Sequence, residues 1–360
     1  MSIGKYTQIA GVIKQIVGEY TQIGGVIKEI TINALGIGGA IKEVSLADRY
    51  FYTSESINDE LYRGTSSGAE DWHYDAADGV VVAVNEDGES YWGAGTDVIK
   101  LNADGTLAWT YSGHSAAVTS IAIEIDSGIT YVYSGDYVGN VRKCIDGVIA
   151  GLMWSVNVDA TYGPPIYALA IDAENGQVYA GATFYAASKG VWRAATGTGT
   201  FVKRYASAND IMSLAVDVNT PASVYCGDSA GNYRKLSADG YVYWTKTLTG
   251  SIVSMEIAHN GYGYLACESE KKVYKFTPAT GVEIWNYAPS PATDAYPYQI
   301  AVDSGGNVYA VYRNVGAQSG NFIYKISKDG AYVWKWQSYV NVKFYGMAVT
   351  PGLEAATKVY

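Results

Sequence analysis

One pattern recurs through most of the chain and limits the folds it can adopt: a glycine followed four residues later by a large aromatic residue. The pairs are Gly68/Trp72, Gly105/Trp109, Gly197/Phe201, Gly240/Trp244, Gly281/Trp285 and Gly330/Trp334, and Trp154 follows Gly147 after a longer turn. These seven marks are mostly 37 to 49 residues apart. A period of this length is typical of repeat architectures, in which each unit is one small supersecondary motif.

Two further series repeat with the same period. Seven basic residues precede the turn glycines: Arg63, Lys100, Lys143, Arg193, Lys235, Lys275 and Lys325. An apolar-Ala-apolar series, as in ALAIDA at 168, also occurs seven times, with SMEIAH at 254 as the deviant copy. Regular short strands separated by tight DG, NG and GG turns predict a seven-bladed β-propeller. We assign the alanine series to the inner strand A, runs such as VYSGD to strand B, the basic residues to strand C and the tryptophans to strand D.

The two ends of the repeat region complement each other. Residues 77–340 contain six full units, residues 341–360 contain A and B sequences, and residues 59–75 contain C and D sequences. Pairing these ends in one sheet would remove an open edge that favours aggregation. The predicted fold class is therefore all-β, a seven-bladed propeller closed by N- and C-terminal strands that share one blade.

The C-D units, such as VIKLNADGTLAWTY, resemble the repeats of quinoprotein-like (PQQ-like) and WD40-like propellers. That resemblance covers residues 59–360 and implies that a turn glycine and a strand-D tryptophan dock neighbouring blades. QIAVDSGGNVYAVY also resembles NHL-type blades. The quinone-dependent members use eight blades and an adjacent cysteine pair, and this sequence has neither. Propellers host many unrelated activities, so the resemblance indicates fold rather than function.

The first 46 residues carry a different repeat, with a period of fourteen. YTQIAGVIKQIVGE, YTQIGGVIKEITIN and ALGIGGAIKEVSLA begin at Tyr6, Tyr20 and Ala34. Small pairs such as Gly24-Gly25 between β-branched runs predict three two-stranded hairpins, which need a docking partner because isolated hairpins are marginal in water. The unit resembles the GGVWKE-type repeats of tailed-bacteriophage virion proteins. We therefore interpret residues 1–46 as an attachment module, residues 47–58 as a linker and residues 59–360 as the propeller. The predicted attachment residues are Tyr6, Ile9, Ile13, Tyr20, Ile23, Ile27, Ile37 and Ile41.

Composition excludes several classes of function. The net charge is −10 without any Lys/Arg cluster, which argues against a nucleic-acid ligand. No apolar run has transmembrane length and no signal peptide is apparent, so we expect synthesis in the cytoplasm. The three cysteines, Cys144, Cys226 and Cys267, lack metal-ligand spacing and are expected to be buried.

The sequence also lacks a recognisable catalytic motif. The histidines His73, His114 and His259 fall in different blades without a nucleophile motif beside them. SADGYVYW at 237 approaches the Asp-box of sialidase propellers, but that box is structural and the arginines are dispersed. The acidic turns, such as NEDGES, do not spell a calcium loop. We expect no catalytic residue, no metal and no cofactor.

Loop length separates the two faces of the predicted propeller. A-B and C-D turns are tight, whereas the D-A and B-C connections on the other face are longer and rich in aromatic residues. Long loops on a rigid scaffold concentrate binding function. The predicted ligand-binding residues on this rim are Tyr137, Tyr162, Phe184, Tyr185, Tyr296, Asp136, Asp294 and Arg313.

Two functional hypotheses remain from the sequence. The first is a non-enzymatic virion structural protein, a capsid decoration, fibre or tail component. Residues 1–46 would anchor it to other virion proteins, and the propeller would contact a host-surface glycan or protein or a neighbouring virion protein, without nucleic acid or membrane insertion and as a homo-oligomer. The alternative is a sialidase-like or quinoprotein-like enzyme, or a cellular interaction scaffold.

Overall fold

The structure, a computed structural model, describes residues 5–9, 12–16, 20–23, 26–30, 50–55, 60–76, 79–147, 151–217, 223–289, 295–314, 321–337 and 344–350. All the regular elements in these ranges are β-strands. No helix in the described part of the chain has the length and apolar character needed to cross a membrane. The chain divides into two compact units, Met1–Ala47 and Asp48–Tyr360.

The described residues of the first unit form two antiparallel strand pairs. Its strands are β1 (Lys5–Ile9), β2 (Val12–Ile16), β3 (Tyr20–Ile23) and β4 (Val26–Ile30). β1 pairs with β2 and β3 with β4, so that Ile9 lies opposite Val12 and Ile23 opposite Val26. The third predicted hairpin, together with Ile37 and Ile41, lies outside the described residues. The proposed attachment role of this unit stays a prediction.

The second unit begins with β5 (Tyr50–Glu55), β6 (Glu60–Thr65) and β7 (Glu70–Asp75). Six four-stranded antiparallel sheets follow, which we number as blades 1 to 6. Blade 1 contains β8 (Gly79–Val84), β9 (Ser90–Ala94), β10 (Asp97–Leu101) and β11 (Leu107–Ser112). Blade 2 contains β12 (Val118–Asp126), β13 (Ile129–Asp136), β14 (Asn140–Ile145) and β15 (Leu152–Asn157). Blade 3 contains β16 (Ile166–Asp172), β17 (Gln177–Ala182), β18 (Gly190–Ala195) and β19 (Val202–Ala206).

The remaining strands complete the ring. Blade 4 contains β20 (Ile211–Val216), β21 (Ser223–Asp228), β22 (Asn232–Ser237) and β23 (Val242–Thr247). Blade 5 contains β24 (Ile252–Ile257), β25 (Gly263–Cys267), β26 (Lys272–Thr277) and β27 (Val282–Tyr287). Blade 6 contains β28 (Ala295–Val302), β29 (Val308–Asn314), β30 (Phe322–Ile326) and β31 (Tyr332–Gln337). β32 (Phe344–Val349) is the last described strand.

The seventh blade joins the two ends of this unit, in the order β32-β5-β6-β7. The seven-bladed, end-closed propeller predicted from the sequence is thus confirmed, but the division of strands in its closing blade was wrong. Strand B is β5 from the N-terminal side, where a linker over residues 47–58 was expected, and the C-terminal side supplies strand A alone within the described residues. Ala348 pairs with Tyr52, and Tyr52 with Arg63. Tyr52 is fully buried, which explains why this segment joins the sheet instead of bridging to it.

Five of the seven blades carry the same cross-strand row of side chains, whereas blade 5 has Glu256 in place of the alanine and the row of blade 3 ends on Val202. In blade 1, Ala83 on strand A pairs with Tyr91 on B, Tyr91 with Lys100 on C, and Lys100 with Trp109 on D. The strand-B tyrosines of the seven blades are Tyr52, Tyr91, Tyr133, Tyr179, Tyr225, Tyr264 and Tyr309, and all are at most 1% exposed. Most of the unusual tyrosine content inside strands is therefore explained by blade packing and not by ligand binding.

The blades dock through the basic residue of strand C and the tryptophan of strand D. At four of the seven junctions both side chains donate to one carbonyl in the C-D turn of the next blade, and between blades 7 and 1 this carbonyl is Ala103 O. Between blades 1 and 2 they donate to the Asp146 carboxylate instead. Trp154 and Lys143 donate to Thr196 O at 2.9 and 3.3 Å, Trp285 and Lys275 to Lys328 O at 3.0 and 3.1 Å, and Trp334 and Lys325 to Ser66 O at 2.9 and 3.0 Å. The last junction joins blade 6 to blade 7, so the closing blade is held like the others. The ring of seven basic residues is structural, as a position shared by all repeats suggests.

The turn glycines complete these junctions because they leave room for the tryptophans. A Cβ added at Gly105 would lie 2.8 Å from the Trp72 ring of the preceding blade, and one added at Gly330 would lie 3.0 Å from Trp285. In blade 3 the glycine that meets Trp154 is Gly199, with φ +66°, and not Gly197 as the sequence pattern suggested.

The innermost strands surround a central channel. Each strand A contacts the strand A of the next blade, and β32 contacts β8 to close the ring. A cavity of about 220 Å³ lies among them, lined by residues of blades 1 to 6 that include Val81, Ile121, Leu169 and Met255. Apolar side chains line this cavity together with polar ones, which include Thr119, Ser120 and Gln299.

Candidate functional site: an aromatic patch at the junction of blades 2 and 3

Five aromatic side chains gather where blades 2 and 3 meet on the face of the D-A and B-C connections. The five are Tyr137, Tyr162, Tyr167, Phe184 and Tyr185, which we call the rim patch. Tyr137, Tyr162, Phe184 and Tyr185 are 45%, 47%, 53% and 48% exposed, unlike the buried tyrosines of strand B. Aromatic side chains this exposed and this close together are unusual unless they meet a partner. The structure thus brings together four residues that were selected from sequence alone, and their role in binding stays a prediction.

Three of these rings form a triangle of edge-to-face contacts. The centroid of Tyr137 lies 6.1 Å from Phe184 and 6.3 Å from Tyr167, and Tyr167 lies 6.1 Å from Phe184. Their interplanar angles are 63°, 81° and 89°, so all three pairs are T-shaped, an arrangement favoured by the ring quadrupoles. The contacts hold Tyr137 and Phe184 in place although roughly half of each side chain faces solvent.

The other two rings form a separate pair. Tyr162 and Tyr185 are stacked, with centroids 5.9 Å apart and an interplanar angle of 27°. Tyr162 belongs to the D-A connection before β16, and its backbone N–H donates to Asp159 O at 3.1 Å. Asp159 in turn accepts a 2.8 Å hydrogen bond from the Ser188 hydroxyl of the B-C connection that carries Tyr185. The two loops therefore fix each other, and the patch is a preformed surface.

Phe184 adopts a backbone conformation that is rare for its residue type. Its φ is +66°, in the left-handed region, where a bulky residue is an outlier. The Phe184 N–H donates to the Asp210 carboxylate at 2.6 Å, and Lys189 Nζ lies 3.2 Å from the same oxygen. Such strain persists only where surrounding contacts impose it, and it concentrates at functional sites. Here it turns the phenyl ring outward beside Tyr137.

Tyr167 was missed by sequence reasoning. It lies in β16 between Ile166, which pairs with Ala182, and Ala168, which pairs with Gly181, so it is the extra residue of a β-bulge. The bulge turns its side chain to the lining of the central channel, where Tyr298 also lies. Burial, together with the neighbouring Tyr137 and Tyr298, raises the pKa of Tyr167 to about 12. Tyr167 therefore links the rim patch to the mouth of the channel. The strand pattern YALAID carried no signal of the bulge.

Asp136 does not belong to the exposed rim, contrary to the sequence prediction. It is fully buried, and it accepts hydrogen bonds from the Val138 and Asn140 backbone amides and from the Asn140 side chain. Burial alone would raise the pKa of the Asp136 carboxyl, but hydrogen bonds from His114 and Asn140 outweigh it and hold the pKa below its usual value. Its carboxylate organises the B-C turn that presents Tyr137.

Asp136 also forms a three-residue chain with His114 and Ser134. His114 Nδ1 lies 3.1 Å from Asp136, and His114 Nε2 lies 2.7 Å from the Ser134 hydroxyl. This order of contacts, from serine to histidine to aspartate, is the same as in a catalytic triad. All three side chains are buried, at 8%, 1% and 0% exposure for the histidine, serine and aspartate. A substrate cannot reach the serine in this arrangement, so we interpret the chain as a structural tie between the D-A connection and strand B.

The predicted site residues of blade 6 are not part of the rim patch. Arg313 is 9% exposed, and its guanidinium lies between the rings of Tyr298 and Tyr345, at 3.4 and 3.9 Å from their centroids. Cation-π contacts of this kind tie blade 6 to strand A of blade 7. Tyr296 is half-buried in β28 and pairs with Arg313 across the sheet. Asp294 lies outside the described residues. The sequence does not display this burial, which places Arg313 off the exposed rim, and its role in ligand binding stays a prediction.

Comparisons with known proteins agree with the propeller fold. No family model and no curated protein sequence matches the chain. Among solved structures, the chain is similar to the β-propeller domain of Cps50 (Swd1) from Myceliophteria thermophila, with a TM-score of 0.63 and 13% identity over 76% of this chain and 90% of that chain. Similarity at this identity indicates a shared fold alone. The finer resemblances to quinoprotein-like blades and to phage repeats stay predictions.

Proposed function

We propose that this chain is a non-enzymatic virion protein whose propeller binds a host-surface carbohydrate through the rim patch. The observation that carries the binding proposal is the preformed cluster of half-exposed aromatic rings around the strained residue Phe184. Tyrosine rings stack on the apolar faces of sugar rings, and their hydroxyls hydrogen-bond to sugar hydroxyls. The Asp210 carboxylate and the Lys189 ammonium beside Phe184 add charged hydrogen-bonding groups. A flat apolar interface with another protein would not need charged groups beside the aromatic rings.

Two observations support the rest of the proposal. The inaccessible His114 chain is consistent with a binding protein instead of a hydrolase. The fourteen-residue repeats of the first unit resemble repeats of tailed-phage virion proteins and support an anchoring role on a capsid or tail.

The carbohydrate proposal can be tested on a glycan array followed by calorimetry with the best oligosaccharide. We expect the double variant Tyr162→Ala/Tyr185→Ala to bind about 30-fold more weakly, because two stacking rings contribute roughly 1 kcal/mol each. The matched control is Tyr241→Ala/Tyr243→Ala, which removes another exposed tyrosine pair, 5.6 Å apart, from blade 4. Equal binding by both variants would contradict the proposed site. Binding of virion proteins and of no glycan would instead make the patch a particle interface.

The virion proposal has its own test, so that either part can fail alone. Gold-labelled antibodies against the propeller should decorate purified particles, and a chain lacking residues 1–46 should be absent from particles while it still binds glycans. Label confined to the host cytosol would contradict the virion assignment and leave the carbohydrate site untouched.

A further inference from the structure

We propose that blade 7 carries a transition-metal site, formed by Glu60, His73 and Asp75 on its two outer strands. The three residues share one face of the β6-β7 pair. Glu60 lies directly opposite Asp75, and Tyr62 lies opposite His73. Residues two apart in a strand point to the same face, so the four side chains form a two-by-two block. Neither the glycine-tryptophan pattern nor the rim patch includes this block.

The donor atoms are close enough to share one ion. One ligand atom from each of Glu60, His73 and Asp75 lies within 4.8 Å of the other two. A zinc ion binds histidine nitrogen and carboxylate oxygen at about 2.0–2.2 Å, so atoms around one ion lie roughly 3–4 Å apart. Since Asp75 and His73 are exposed, modest rotations of their side chains would bring them within that range.

Two residues that are not ligands, Glu70 and Tyr62, orient the donor groups of the proposed site. His73 Nδ1 lies 2.9 Å from Glu70 Oε1, which leaves Nε2 as the nitrogen for a metal. The Tyr62 hydroxyl donates to Glu60 Oε2. Ligating histidines commonly give their second nitrogen to a carboxylate, which fixes the ring and raises its basicity as a ligand. Glu70 is therefore assigned as a positioning residue and not as a ligand.

Charge and donor type indicate which ion would bind. Glu60, Glu70 and Asp75 surround a single imidazole, so a divalent cation would offset an excess of negative charge. A nitrogen donor favours zinc, nickel or cobalt over magnesium or calcium, which prefer oxygen alone. Three protein ligands leave at least one coordination position for water.

His73 has a partner even without a metal. Its Nδ1 lies 2.9 Å from Glu70 Oε1, and both side chains are exposed. This contact alone needs no ion, so the test must separate a histidine that only pairs with Glu70 from one that also binds a metal.

The test is calorimetric titration of the EDTA-treated, dialysed full chain with ZnCl₂ at pH 7.5. We expect one zinc ion per chain, with at least tenfold weaker binding in His73→Ala and in Asp75→Asn, and about tenfold weaker binding in Glu70→Gln. The matched control is His259→Ala, which removes an exposed histidine from blade 5 and should leave zinc binding unchanged. Cobalt(II) provides a spectroscopic readout, since a His73-ligated ion gives visible absorption bands that His73→Ala should abolish.

Several results would overturn the site. These are the absence of zinc binding by the folded wild-type chain at 100-fold molar excess, or unchanged stoichiometry and affinity in both His73→Ala and Asp75→Asn. Should one variant fail to fold by circular dichroism, the other decides the question. Cobalt(II) absorption bands that persist unchanged in His73→Ala would also contradict ligation by His73.

Discussion

Replacement of Gly105 by alanine tests how neighbouring blades are held together. Gly105 has a φ of +85°, and an added Cβ would lie 2.8 Å from the Trp72 ring. That ring cannot move freely, because its Nε1 donates to Ala103 O at 3.1 Å and it meets the Tyr52 ring in a T-shaped contact with centroids 6.1 Å apart. Alanine in the left-handed region costs roughly 1–2 kcal/mol. Overpacking a fixed ring adds about 1–3 kcal/mol, so the expected loss of unfolding free energy is roughly 2–5 kcal/mol.

Gly128 supplies a control in which only the backbone cost applies. Its φ is +80°, and an added Cβ meets nothing within 4 Å. Urea unfolding followed by tryptophan fluorescence should show Gly105→Ala to be about 1–3 kcal/mol less stable than Gly128→Ala, with a lower melting temperature by roughly 2–4 °C per kcal/mol. Equal losses in the two variants would refute the claim that the turn glycine is required by the tryptophan of the preceding blade.

Three other predictions concern Glu256, His114 and the three cysteines. Burial raises the pKa of Glu256 to about 8 from its usual 4.5, so its stabilising effect is complete below pH 4.5 and is lost as the pH rises towards 8. Differential scanning fluorimetry should therefore show a smaller fall in melting temperature between pH 5 and 8 for Glu256→Gln than for the wild type; an identical fall would contradict this. His114→Ala should cost roughly 2–4 kcal/mol in urea unfolding, because buried Asp136 loses a partner, whereas a loss below about 0.5 kcal/mol would argue against the structural tie. Burial raises the pKa of all three cysteine thiols to about 11 or 12, so Ellman's reagent at pH 8 should label them only after unfolding; rapid labelling of the native chain would refute their burial.

The blade count was predictable because every blade repeats the same local chemistry. Turn glycines, strand-C cations and strand-D tryptophans make contacts across one junction only. The sequence of each unit is therefore enough to predict the structure of that blade. Strand β5 was not recognised because YFYTSE lacks the Gly-Asp or Gly-Ala ending that marks β9, β13, β17 and β21. Tyr52 could have revealed this strand. It precedes the strand-C residue Arg63 in the same way that the strand-B residue Tyr91 precedes Lys100.

The rim patch was predictable only in part. Loop length and aromatic content selected Tyr137, Tyr162, Phe184 and Tyr185, since a rigid scaffold leaves such loops on one face. The same criteria selected Arg313, which is buried between two tyrosine rings of strand A. Burial of that kind depends on contacts between residues distant in the chain.

Glu256 illustrates how a departure from a repeat can carry information that the repeat does not. It occupies the alanine position of the cross-strand row and pairs with Tyr264 in blade 5. Its carboxyl accepts a hydrogen bond from the Val302 N–H of β28 at 3.0 Å, across to blade 6. The deviant SMEIAH motif marked the position, but only the structure shows that the carboxyl bridges two inner strands.

The central claim, carbohydrate binding at the rim patch, is tested most directly by a crystal structure of the full chain with the oligosaccharide that it binds on the array. We expect a sugar ring stacked on Tyr162, Tyr185 or Phe184, with a hydroxyl within hydrogen-bond distance of Asp210 or Lys189. A sugar bound at the outer strands, or in the central channel without contact to the rim patch, would contradict it.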